Sequence, residues 1–235
     1  MIYADFENKP LPEHTRLDYH ECLAKIVLET MFPSHFMDLE LKDKPDLQNI
    51  EKQVGVEVTS SINPIQERNE GLCTKIAYGQ IRNKEKAIEI INSSYEPRSI
   101  MINGKEIREP ERYCNGILVG IPGRDSFDLI YKAFKQKVYK LNKGGYRIFL
   151  HNTLFVHSDI LTNQDMIDEV IIQMNAFQAK YESKFQKIFV YVPAYLYILN
   201  LMDKTGEIKF IKEDQYDWDV QAREMVIKYE IEHKK

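Results

Sequence analysis

Apolar positions along the chain repeat with two periods, and the switches between them mark the elements. From Arg16 to Phe32, the residues Leu17, Ala24, Val27, Leu28 and Met31 form one stripe at helical spacing, and Pro33 closes the run. Glu21 sits at the edge of that stripe, while Glu29 falls with Asp18 and Lys25 on the polar side. Residues 36–41 alternate instead: Met37, Leu39 and Leu41 against Phe36, Asp38 and Glu40, as in a strand with one buried face. Two short strands around a polar turn come next, the first ending at Ile50 and the second running Val54-Gly55-Val56-Glu57-Val58-Thr59.

Further along, the pattern predicts a polar loop over 60–71, bent at Pro64 and Gly71, and then one long helix over 72–92. Gln80 and Lys84 interrupt the apolar face of that helix one turn apart. Asn103-Gly104 between apolar flanks predicts a hairpin, and residues 116–121 a buried strand. Residues 126–143 are cleanly amphipathic: Phe127, Ile130, Tyr131, Phe134 and Val138 face inward, Lys132, Lys135, Lys140 and Lys143 outward, and Lys137 lies near the boundary. A strand over 146–150 reaching Val156, a helix opened by Thr162-x-x-Asp165 and running to Tyr181, strands over 188–199 and 207–211, and a helix over 220–233 complete the chain. Strands alternating with helices predict α/β layers in one domain over residues 1–235.

Composition adds limits rather than identity. Hydrophobic residues make up 43% and charged residues 29% of 235, enough for a core that needs no staples. The net charge of −4 announces no global positive field for nucleic acid, though it leaves room for a local basic groove. The three cysteines are widely spaced and form neither a zinc pattern nor a disulfide framework, which predicts a reducing, cytoplasmic setting. Residues 1–14 read as a polar arm, not a signal peptide, and no apolar run is long enough to span a membrane. Glycine fingerprints of nucleotide binding and of serine hydrolases are missing, and His20 reads as a packed histidine rather than a ligand.

Chemistry concentrates at the central hairpin. A two-residue turn at Lys52-Gln53 sets Asp46 opposite Thr59 and Gln48 opposite Glu57, with all four side chains on one face; a three-residue turn would flip that relation. Two carboxylates on one patch repel by about 1 kcal/mol at 4 Å in water and about 4 kcal/mol at an effective dielectric of 20. A divalent cation removes that penalty, and hard oxygen ligands suit Mg²⁺ or Mn²⁺.

Pro45-Asp46 followed by Glu57-Val58-Thr59 at the end of an apolar strand resembles the PD-(D/E)xK nuclease superfamily, over roughly residues 15–93. The resemblance implies a restriction-endonuclease-like mixed central sheet flanked by helices, with residues 94–123 as an inserted β-hairpin region. It implies metal-dependent phosphodiester hydrolysis of DNA, with Asp46, Glu57 and Glu21 holding Mg²⁺ or Mn²⁺. Thr59 stands where the family usually has lysine. The helix after the hairpin carries Gln80-Ile81-Arg82-Asn83-Lys84, with lysine at the position where some members have tyrosine. Lys84 is therefore the first candidate for the displaced catalytic lysine, beside Gln80, and Lys137 the second. Lys132, Lys135, Lys137 and Lys140 are candidates for phosphate-backbone contacts. The resemblance allows a homodimer. The alternative reading is a nuclease fold that has lost catalysis at Thr59 and serves as a nucleic-acid or protein binding module.

Overall fold

The computed structural model describes residues 11–12, 14–77, 79–94, 99–102, 105–108, 113–114, 117–118, 126–213 and 215–233. Most of the expected N-terminal arm, Asn103-Gly104 and most of the strand expected over 116–121 lie outside them. Helix α1 (Tyr19–Met31) begins at Asp18, whose carboxylate accepts from the His20 and Glu21 backbone N–H groups. Pro33 then opens a short second helix, α2 (Pro33–Phe36), because a missing N–H costs nothing in a first turn. Strand β1 is thereby reduced to Glu40–Leu41, where the alternation alone predicted a strand from Phe36. Strands β2 (Leu47–Asn49) and β3 (Val54–Ser60) form the central hairpin.

The chain divides into two compact units. The smaller, Ile62–Gly123, contains α3 (Pro64–Ala77), α4 (Lys84–Ser93) and the antiparallel pairs β4 (Ser99–Ile102) with β5 (Lys105–Arg108) and β6 (Tyr113–Cys114) with β7 (Ile117–Leu118). Two expectations are corrected here. The polar loop over 60–71 is helical from Pro64 on. The single helix over 72–92 is two helices, broken where Gly79 takes φ +63° and restarted where the Asn83 side chain caps the Lys86 N–H. Gln80 therefore lies between helices and Lys84 opens α4, so the two do not share one helical stripe. The pattern missed the break because Ile76, Ala87 and Ile91 still meet in one small core.

The larger unit contains the rest: α5 (Asp128–Leu141), β8 (His151–His157), α6 (Gln164–Gln178), β9 (Lys187–Val192), β10 (Tyr195–Asn200), β11 (Thr205–Phe210) and α7 (Gln215–Glu232), with α1, α2 and β1–β3. Its seven strands make one sheet in the order β1-β2-β3-β8-β9-β10-β11. The central pairs β3–β8 and β8–β9 are parallel and the flanking pairs antiparallel, so the sheet is mixed. Val54, Val56, Val58, Phe155, Phe189 and Tyr191 pack against α1 and α7 on one face. Leu154, Val156, Ile188, Val190 and Leu199 pack against α5 and α6 on the other. A sheet buried on both faces explains why residues 188–199 read as one continuous apolar strand. They are two strands, turned at Pro193-Ala194 with Ala194 at φ +66°. The strand expected from Tyr146 begins only at His151. No helix among the described residues is long and apolar enough to cross a membrane.

Candidate active site

The hairpin register differs from the expected one. Leu47 pairs with Val56, Gln48 with Gly55 and Asn49 with Val54. The loop between the strands thus holds Ile50 to Gln53, and the pairing is two residues away from the one predicted. A shift of two conserves the face on which each side chain lies, whereas a shift of one would have reversed it. Asp46 precedes the first paired residue of β2, and Glu57 follows the last residue of β3 that β2 covers.

That early end of β2 makes the site. From Glu57 onward β3 pairs only with β8, leaving its other flank open among the described residues. The Asp46 carboxylate fills part of the gap: Oδ2 accepts from the Val58 N–H at 2.7 Å, in place of a strand carbonyl. Because Val54, Val56 and Val58 face α1 and α7, Gly55, Glu57 and Thr59 face the α5 side. There Lys137, on the boundary of the α5 stripe, reaches down to the strand. Its ammonium donates to Glu57 Oε1 at 2.5 Å and to the Val58 carbonyl at 2.8 Å. Glu57 is 4% exposed, so this is a buried ion pair. The open flank also admits Glu21 from α1, and all four side chains line one cavity of about 510 Å³.

The electrostatics follow from crowding acids in a space with little water. Burial raises the Asp46 carboxyl above its ordinary range, against the Val58 N–H and Lys137, which lower it. Burial and then the Asp46 charge raise Glu57, again against Lys137. Glu21 is pushed up to about 8, first by burial and then by the charges of Asp46, Asp18 and Glu57. At neutral pH Glu21 therefore holds its proton in a substantial fraction of molecules. A cation entering the cavity would reverse each of these shifts.

Whether the donor set fits a metal can be tested on the atoms themselves. Glu57 Oε2 is buried and has no hydrogen-bond partner among the described residues. An acceptor-only oxygen in that condition fits a bound cation or a water that a cation brings. Asp46 has spent Oδ2 on Val58, leaving Oδ1 for a ligand. Among the described residues, no group of three or more histidine, cysteine, aspartate or glutamate side chains is arranged to hold a metal ion. The oxygens at hand are thus the Asp46 and Glu57 carboxylates and the Val58 carbonyl, with Glu21 in the same cavity.

The other residues singled out in the sequence have these places. Gln80 and Lys84 belong to the smaller unit, where both are exposed. Thr59 is half-buried on β3. Glu29 is bound to the Lys25 ammonium and to the Leu39 N–H at 2.8 Å, a structural tie between α1 and the chain before β1. On α5, Lys140 lines the cavity beside Lys137. Lys132 is exposed on the same helix, and Lys135 sits 4.6 Å from the Tyr131 ring centroid. His20 packs with its ring 4.7 Å from that of His157, as a core histidine does. Tyr146 and Lys143 also line the cavity; the sequence set Lys143 on the outward basic face of α5 and gave Tyr146 no role. Gly144-Gly145, just after the basic helix, was the available signal that the chain turns back there.

Comparisons of the chain with family models, with curated proteins and with solved structures gave no match.

Proposed function

We propose that this protein is a metal-dependent phosphodiesterase of the PD-(D/E)xK type, with a restriction-endonuclease-like core, acting on DNA. The observation that carries the reading is the meeting of Asp46, Glu57 and Lys137 in one cavity, with Glu57 Oε2 left without a partner. The resembled family uses an aspartate, a glutamate and a lysine of this kind. Here the lysine comes from α5 rather than from Thr59 of the strand or from Lys84.

Asp46 and Glu57, with Glu21 beside them, are the residues that would hold Mg²⁺ or Mn²⁺. When bound, the ion polarises the phosphate and acidifies the attacking water. The protein's own groups do the rest. Asp46 is fixed by the Val58 N–H, so its free oxygen keeps a set direction. Lys137 has three donors and spends two, on Glu57 and the Val58 carbonyl. The third is available to orient a water or to steady charge developing on a phosphate oxygen. Glu21, protonated in part at neutral pH, can give up its proton when positive charge enters the cavity. Lys132, Lys135 and Lys140 on α5 are suited to contact the phosphate backbone.

The test is cleavage of supercoiled, linear and single-stranded DNA with Mn²⁺ or Mg²⁺, by the wild type and by Asp46→Asn, Glu57→Gln and Lys137→Met. Metal-dependent cleavage lost in all three variants is the expected result. Metal binding without cleavage of any DNA form would favour the binding-module reading instead.

A further inference from the structure

The cavity around Asp46 and Glu57 contains more donors than the fold uses. Lys137 is committed to Glu57 and the Val58 carbonyl, and Lys44 pairs with Asp43 at 3.0 Å. Lys140 and Lys143 line the same cavity and make no ion pair within 4 Å among the described residues, although the Lys140 charge lowers both Asp46 and Glu57. Tyr146 lines it too, and its hydroxyl is buried with no hydrogen-bond partner among the described residues. A buried phenol left unpaired is disfavoured unless something arrives to satisfy it. The same cavity is lined by Glu57, whose Oε2 is in the same condition. One orphan is an acceptor that a cation would satisfy; the other is a donor that an anion would.

Backbone geometry fixes Tyr146 in this place. The chain leaves α5 through Gly144 and Gly145, the latter at φ +85°, a conformation that glycine adopts without strain. The next residue, Arg147, donates its N–H to the Lys44 carbonyl at 3.1 Å, two residues before Asp46. Tyr146 is thus tied to the loop that presents the catalytic aspartate, and Lys140 reaches the cavity from the last turn of α5.

We infer that Tyr146, together with Lys140 and Lys143, forms an anion-binding subsite in this cavity, with the tyrosine hydroxyl donating to a phosphate oxygen of the ligand. Carboxylates alone would repel a phosphate. Donors on the α5 side offset that repulsion, and a neutral hydroxyl beside ammonium groups suits the several acceptor oxygens of a phosphate. The identity of the anion rests on the phosphodiesterase reading. The subsite itself rests on the orphaned hydroxyl and the two unpaired lysines.

The experiment is calorimetric titration of the full chain, without divalent ions, with inorganic phosphate and with a short single-stranded oligonucleotide. The variants are Tyr146→Phe, Lys140→Met and, as a charge control, Lys228→Met. At least one of the two ligands is expected to bind the wild type, about tenfold more weakly in Tyr146→Phe and Lys140→Met, and unchanged in Lys228→Met; a tenfold change is 1.4 kcal/mol. Binding of the oligonucleotide alone would assign the subsite to a diester, and binding of free phosphate alone to a monoester. The unliganded Tyr146→Phe should melt no lower than wild type, since it loses no native hydrogen bond. Equal affinity in wild type and Tyr146→Phe, a lowered melting temperature in that variant, or no binding by wild type would each overturn the inference. Tyr146-dependent phosphate binding without DNA cleavage would leave the subsite standing and remove only the hydrolytic reading.

Discussion

The Lys137 ammonium lies 2.5 Å from Glu57 Oε1, although 80 residues separate them in sequence. It joins the middle of α5 to the strand at the point where β2 has stopped covering it. The ammonium also rests on the Val58 carbonyl, so two oxygens suited to a metal are held by a resident cation. A single side chain thus joins the packing of α5 on the sheet to the cavity that Asp46 and Glu57 line.

Lys137→Met should abolish the proposed phosphodiesterase activity, while Lys84→Met should leave it near wild type. Removing one partner of a buried ion pair costs about 3 kcal/mol where the other remains charged. Without Lys137 the Glu57 carboxyl is raised further, so the loss of stability grows as pH rises above the ordinary glutamate range and shrinks as pH falls toward it. Urea denaturation at pH 5 and pH 8 checks the sign. A pH-independent loss would mean that Lys137 packs rather than pairs.

Asp46→Asn should weaken Mn²⁺ binding by at least tenfold in calorimetry while unfolding within about 1 kcal/mol of wild type, because the amide oxygen can still accept from the Val58 N–H. Asp46→Ala should cost more, about 1–3 kcal/mol, because that buried N–H then has no acceptor. Similar stability in the two variants would rule out the strand-mimicking role of the carboxylate.

Glu21 gives the site a pH signature. Its carboxyl is raised from 4.5 to about 8, so the folded protein holds this proton more tightly than the unfolded chain does. Stability of the metal-free protein from this group is therefore fully present below about 4.5 and falls as pH rises through about 8. Mn²⁺ affinity should move the other way, rising with pH up to about 8 with release of a proton on binding. Glu21→Gln should flatten both dependences. Glu29→Gln should leave metal affinity unchanged yet lower stability, because Glu29 holds Lys25 and the Leu39 N–H.

Gly55→Ala should destabilise by about 1–3 kcal/mol through overpacking. A Cβ there would meet Phe149 Cδ2 at 2.5 Å and Pro45 Cγ at 2.9 Å. Pro45 precedes Asp46, so the relief of that clash should displace the aspartate and lower Mn²⁺ affinity as well. Loss of stability with unchanged metal affinity would show that Phe149 alone gives way.

Much of the larger unit was legible because its signals are local. The stripe of α1, the amphipathic face of α5 and the period-two run of β3 report burial along a single element, and each formed close to its expected limits. The face shared by Asp46 and Glu57 survived an error of two in the register, since side chains alternate with a period of two. Local signals also failed where two of them compete. Pro33 and Pro64 start helices as readily as they end segments, and the Gly79 break with its Asn83 cap lay hidden under an apolar pattern that both α3 and α4 satisfy.

The sequence by itself determined the α/β class, most elements of the larger unit and the faces that Glu21 and Glu57 take, because helical and strand periodicity assign each side chain a face. The choice of lysine was beyond its reach. Lys84 and Lys137 each interrupt or border an apolar stripe, and a stripe names a buried face without naming what covers it. Only the tertiary structure decided that α5 lies over β3 where its flank is open, that Lys137 meets Glu57 there, and that Tyr146 returns to the same cavity. Those contacts join residues far apart in the chain, and their positions depend on how the layers pack rather than on any spacing within one segment.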